Sequence, residues 1–150
     1  MRINKWNCRC IRCREIKGNN IKDEDVKLKV IKYHGSDGDE YFISYETQKY
    51  LIGFLRLRLN TDYSSSLLTL VNAGLIRELH VYSTLTDVGN NLDTSMQHKG
   101  YGKRLIAIAE EIAKKKGFTK MAIIAGTGVR SYYKKLGYEL EDSYMCKELE

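Results

Sequence analysis

The sequence predicts a single α+β domain built on one mixed, mostly antiparallel sheet flanked by helices. Three observations predict it. Stretches of alternating apolar and polar residues follow one another across short Gly-, Asn- and Asp-rich turns, the mark of an antiparallel meander. An amphipathic segment comes next, with Leu105, Ile108, Ala109, Ile112 and Ala113 at helical spacing. After it, Met121 to Ala125 is apolar throughout, as a strand covered on both faces is. Strands, helix, strand, helix, strands is the order of one α/β or α+β sheet.

The elements follow in order. Residues 1–17 form a basic lead that holds Cys8, Cys10 and Cys13, and residues 18–150 form the folded domain. Gly18-Asn19-Asn20 is a turn. Val26, Leu28 and Val30 alternate with Lys27 and Lys29, which predicts a half-buried strand to about Tyr33. Gly35 to Asp39 is a turn, and Tyr41, Ile43 and Tyr45 set a second strand. Ile52 to Leu59 is a third, with Leu55, Leu57 and Leu59 on one face and Arg56 and Arg58 on the other. Thr61 to Ser66 is a polar loop, Gly74 to Tyr82 a fourth strand, and Ser83 to Met96 a long polar connection. The helix runs from Lys103 to Lys116. Lys114, Lys115 and Lys116 suit its C-terminal dipole, either as a solvated end or as a nucleic-acid patch, and Gly117 stops it. A short helix lies within Gly126 to Leu136. A hairpin turns at Glu141-Asp142-Ser143, between Tyr138–Leu140 and Tyr144–Lys147.

The 150 residues suit one domain with its own core. Hydrophobic residues make up 43% and charged residues 29%, a globular composition that excludes a disordered or fibrous chain. A net charge of +6 suits a polyanionic partner or ligand, and by itself does not identify nucleic acid. No signal peptide is visible, and no run approaches the ~18 apolar residues of a membrane span. Four cysteines without a leader point to a reducing compartment, the cytoplasm or the nucleus, or to a metal, before disulfides.

The chemistry centres on Gln97-His98-Lys99-Gly100-Tyr101-Gly102, which opens the helix at Lys103. Strand, glycine loop and helix start aim backbone N–H groups at one point, which suits a phosphate; without a ligand it is a glycine-rich helix start. A Walker A loop is absent. A dinucleotide fingerprint needs a third glycine at position 105, which is Leu.

What remains, Gln-x-x-Gly-x-Gly entering a helix, resembles the pyrophosphate loop of the GNAT acetyltransferases. That resemblance implies acetyl-coenzyme A held by the fourth strand (Leu79, His80, Val81), by the loop from Gln97 to Lys103, and by Tyr132. Tyr132-Tyr133-Lys134-Lys135-Leu136-Gly137-Tyr138 resembles the GNAT segment Tyr-x-Lys-x-Gly-Phe/Tyr. It implies Tyr133 as proton donor to the departing thiolate, although both tyrosines also read as plain core or surface aromatics.

Longer stretches resemble the acetyltransferase domain of the Elongator catalytic subunit family. These are Cys10-Ile11-Arg12-Cys13-Arg14-Glu15, Leu51 to Arg58, Arg77-Glu78-Leu79-His80-Val81-Tyr82, Gly126 to Tyr133, and Tyr144-Met145. The resemblance implies a GNAT-like fold and acetyl transfer in tRNA wobble-uridine modification or on protein lysines. A radical-SAM or Elongator-like protein is the implied partner, since the string holds no radical-SAM domain. A non-catalytic remnant that binds tRNA or a partner and keeps acetyl-coenzyme A is the other reading. Most GNAT proteins place two helices between the first and second strands. Here only a turn fits, which leaves the acceptor side open.

Acetyl transfer needs a base, a polarised carbonyl and a proton for the thiolate. Glu78 is a candidate base or an arginine's ion partner. His80, on the same face, is a base, a metal ligand or a core histidine. A backbone N–H near Val81 is placed to polarise the thioester oxygen. Cys8, Cys10 and Cys13 suit zinc with a fourth ligand from Cys146, His80 or His34, or are three free thiols.

Overall fold

The computed structural model describes residues 8–16, 19, 21–60, 67–82 and 100–150. Seven strands form one sheet: β1 (Lys27–Gly35), β2 (Gly38–Glu46), β3 (Leu51–Asn60), β4 (Ala73–Val81), β5 (Lys120–Ile124), β6 (Glu139–Glu141) and β7 (Tyr144–Glu148). Their order is β1-β2-β3-β4-β5-β7-β6, and of these strands β4 and β5 pair in parallel whereas the other neighbours are antiparallel. A parallel pair needs a crossover, and α2 (Tyr101–Lys115) supplies it. The short helix α1 (Ile11–Arg14) precedes the sheet in the chain, and α3 (Arg130–Lys134) lies between β5 and β6. The expected mixed, mostly antiparallel architecture is what forms.

Alternation explains the meander. Tyr41, Ile43 and Tyr45 of β2 and Leu55, Leu57 and Leu59 of β3 are all buried, and they join one cluster with Leu105, Ile106, Ala109 and Ala113 of α2. Each of these apolar side chains stabilises the fold by about 1.5–3 kcal/mol on burial, alanine less. Lys116 and Gly117 close α2 as expected, with Gly117 at φ 87°. The β1–β2 connection is a tight turn with no room for helices, as the sequence predicts: Gly35 pairs with Gly38, and Asp37 takes φ 63°.

β1 departs from its pattern. All nine residues are exposed, so it is not the half-buried strand that its alternation predicts. The reason is its position at the sheet edge. α2 packs on β2, β3 and β4, and the core ends at β2.

β4 holds two features that build the site. It pairs with β5 only from Ala73 to Ile76, then continues to Val81 with β3 alone, so the two strands part. Arg56 opposes Glu78 whereas Leu57 opposes Ile76, which makes Arg77 the extra residue of a β-bulge. The bulge shifts the alternation by one. Ile76 and Leu79 therefore both belong to the α2-side core, and Glu78 and His80 share the opposite face.

The N-terminal lead is built into the sheet. Glu15 makes a parallel bridge with Leu51, and Ile16 is fully buried in the main core. Arg14 donates to Glu46 at 2.8 Å. Residues 11–16 thus pack in one unit with the strands that follow.

Candidate functional site

The first turn of α2 is an open donor site. Gly100 stands at its N-cap with φ 74°, a conformation that glycine adopts without strain, and no side chain caps the turn among the described residues. No described side chain takes up the first-turn N–H groups, and the helix dipole adds partial positive charge there. Gly102 lets neighbouring side chains approach that turn closely. A Cβ on it would lie 2.9 Å from the Tyr132 hydroxyl and 3.6 Å from Val81 Cγ2. Three elements therefore meet at one spot: the end of β4, the start of α2, and α3. Tyr101 turns away from it. Its ring is buried against Tyr45 and Arg104, and its hydroxyl donates to Asp23 at 3.1 Å. Burial pushes its phenol up to about 12. Gln97, His98 and Lys99 lie outside the described residues, and Lys103 is exposed.

Adjacent positions on α3 send Tyr132 and Tyr133 to different places. Tyr132 is 40% exposed and carries its hydroxyl over Gly102. Tyr133 is 7% exposed, edge-on to Tyr138 at 6.2 Å between ring centres. Burial raises both phenols, which keeps them protonated and fit to donate. The hydroxyl at the first turn of α2 is that of Tyr132. The sequence pattern implies Tyr132 as a coenzyme contact and Tyr133 as the proton donor, and it is Tyr132 that reaches the helix start.

On β4, Val81 faces Gly102, and Leu79 packs on the core. Glu78 lies 3.6 Å from Arg56, with both side chains substantially exposed, so the expected ion pair is with an arginine of β3 and not with Arg77. Arg77 instead meets Glu40 at 2.9 Å, and Arg58 reaches the same carboxylate at 2.9 Å. Sequence reasoning missed this buried glutamate between two arginines. The glutamate and its two partners sit on three different strands, and only the register brings them together. His80 is exposed, not the core histidine that alternation allows, because its face of the sheet has no α2 packed on it. Its ring lies 4.4 Å from Tyr82 and 6.1 Å from Phe54.

The three N-terminal thiols come together. The Sγ atoms of Cys8, Cys10 and Cys13 all lie within 4.8 Å of one another, and all three residues are exposed. The backbone N–H of Cys13 donates to Cys10 Sγ at 3.4 Å and lowers that thiol to about 7, whereas hydrogen bonding to Cys10 raises Cys13 to about 11. A low thiol is the state a metal ligand needs. The expected fourth ligands are not with them. Cys146 is buried on β7, beside Ala122 of β5, where burial raises it to about 12. His34 pairs with Asp39 at the far end of β2 from Glu46. His80 stacks beside Phe54, and among the described residues only the three cysteines form the group.

An uncapped glycine helix start, a strand parting from its parallel neighbour and a tyrosine over the helix start fit a long ligand with a diphosphate. The description of the acetyltransferase (GNAT) family matches residues 5–138. The chain belongs to the GNAT family. Acetyl-coenzyme A is the substrate that membership of this fold family supports. Over 95% of its length this GNAT chain is 42% identical to a tRNA uridine(34) acetyltransferase from Dehalococcoides mccartyi, and it spans 33% of that protein. It is 42% identical to Elongator complex protein 3 of Dictyostelium discoideum, of which it spans 27%. Elp3 of the archaeon Methanocaldococcus infernus has a solved structure that matches 95% of the GNAT chain, and 35% of its own, at 40% identity and a TM-score of 0.79. The chain thus spans about a third of the length of the relatives it matches. Among the described residues no helix is long and apolar enough to cross a membrane.

Proposed function

We propose that this acetyltransferase transfers acetyl from acetyl-coenzyme A within tRNA wobble-uridine modification. The observation that carries the reading is the 42% identity, over 95% of the chain, to a protein named tRNA uridine(34) acetyltransferase. The geometry supports it. Backbone donors of α2 hold the pyrophosphate, and the opening between β4 and β5 takes the arm that ends in the thioester. Glu78, freed from burial and only loosely paired at 3.6 Å, is the proton acceptor on the open face. A phenol of the α3 pair supplies the proton to the thiolate. Tyr132 is favoured for contact at the helix start, and Tyr133 is the donor the family pattern implies.

The relatives are about three times longer than this chain, and the proposed partner in the complete modification is a radical-SAM or Elongator-like protein. Cys8, Cys10 and Cys13 supply three zinc ligands at the lead, and the partner or a residue outside those described supplies the fourth. Elemental analysis of purified protein checks the metal: about one zinc per chain supports the site, and substoichiometric zinc counts against it. The activity itself is tested by thiol release from acetyl-coenzyme A with and without tRNA. Release stimulated by tRNA supports the reading. Release that ignores tRNA but follows added lysine peptides redirects it to protein acceptors.

A further inference from the structure

The face of the sheet away from α2 carries a row of rings that acetyl transfer from the coenzyme does not require. Phe42 of β2 stacks on Phe54 of β3 at 5.3 Å and 18° between planes. Phe54 stacks on His80 of β4 at 6.1 Å and 19°. His80 meets Tyr82 at 4.4 Å. The register explains the row: Phe54 lies directly opposite His80, and Phe42 is its diagonal neighbour across β2. Phe54 is buried at 2% exposure and anchors the row, whereas Phe42, His80 and Tyr82 reach solvent.

Cations border the rings. Arg14, Lys29, Arg56, Arg58 and Arg77 outnumber Glu40, Glu46 and Glu78, which hold them in place. Tyr33, from the edge strand, hydrogen bonds with Arg56 at the rim. The row ends at Tyr82, one residue past the end of β4 where that strand has parted from β5. A row of rings, of which Phe42, His80 and Tyr82 reach solvent and the last two are tilted at 53°, with fixed guanidinium groups beside it matches how proteins hold unpaired nucleotides: each base has a π-face, and the cations meet the phosphates.

We infer that this face, from Phe42 to Tyr82, is a stacking platform for the unpaired bases of an RNA acceptor, which it delivers to the acyl-transfer site. The inference deepens the proposed function and rests on it. It commits to single-stranded RNA, because rings that reach solvent and bordering cations serve a base and its phosphate together. A protein domain seated on the same face is the outcome that would overturn it.

The full chain is titrated into a fluorescein-labelled oligouridylate of about ten nucleotides, a length within the range of a single-strand site. Binding is followed by anisotropy, with an RNA duplex of the same length as control. The expected result is preference for the single strand and a loss of about fivefold or more in Tyr82→Ala and in Phe42→Ala. Arg77→Gln weakens binding and lowers its salt dependence, whereas Tyr82→Ala leaves the salt dependence unchanged. Tyr82 lies past the end of β4, so its variant remains informative if Phe42→Ala unfolds. Acetyl-coenzyme A affinity is measured on the same samples. If it persists while the oligonucleotide binds the variants as tightly as wild type, or fails to bind at all, the platform is refuted and the acetyltransferase reading stands. If wild type fails to bind the coenzyme, the proposed function fails by itself.

Discussion

The Tyr132 hydroxyl occupies the space above Gly102, 2.9 Å from where a Cβ on that residue would sit. Gly102→Ala therefore displaces the tip of a flexible side chain, not backbone. Folding should change by less than about 1 kcal/mol, since alanine is also the better helix former. Coenzyme affinity should fall, because the added methyl displaces the Tyr132 hydroxyl that lies over the first turn. Calorimetric titration beside a thermal melt separates the two effects, and equal affinity with equal melting would remove Gly102 from the coenzyme site.

The two tyrosines of α3 give different variants. Tyr133→Phe keeps the ring that packs on Tyr138 and removes only the hydroxyl, so thiol release should drop while coenzyme binding stays nearly intact. Tyr132→Phe should weaken coenzyme binding as well, given its place over the helix start. Unchanged turnover in Tyr133→Phe together with a large loss in Tyr132→Phe would assign the proton to Tyr132. No loss in either would take both out of the chemistry.

Glu40 ties Arg58 of β3 to Arg77 of the β4 bulge while itself buried at 4% exposure. Removing its charge leaves two arginines facing each other. Glu40→Gln should cost about 2 kcal/mol, a figure for losing charged hydrogen bonds in a partly buried site. Urea melts measure it, and a change within error would mean the arginines find water instead.

The lead should matter to the whole fold. Ile16→Ala empties a fully buried position and should destabilise by about 2–5 kcal/mol. The Arg14–Glu46 pair makes the same segment acid-sensitive. Burial works against ionising Glu46, but Arg14 and then Lys29 outweigh it and hold its carboxyl below the usual value. A carboxyl lowered in the fold adds stability above its unfolded pKa, near ~4.3, and that stability is lost as pH falls through the native value. Wild type should therefore melt above Glu46→Gln at pH 7, with the gap closing below about pH 4. A gap constant with pH would show that the carboxylate's charge contributes nothing.

Much of this was legible because it is periodic. Leu55, Leu57 and Leu59 named the core face of β3, and the spacing from Leu105 to Ala113 named the buried stripe of α2. The glycine loop marked the helix start from local chemistry alone. What stayed hidden depends on distant pairing. Nothing local tells that β1 is an edge strand with all its alternating residues exposed. The Arg77 bulge, which puts Glu78 and His80 on the open face while Ile76 and Leu79 both face the core, follows from the match to β3. The ring row from Phe42 to Tyr82 was invisible for the same reason, since its members are spread over three strands.

The central claim is that the first turn of α2 and the opening beside β4 hold acetyl-coenzyme A. Isothermal titration of the purified chain with acetyl-coenzyme A tests it most directly. One site per chain, weakened by Gly102→Ala, is the result this arrangement predicts. Absence of binding at millimolar ligand in a folded sample would contradict it.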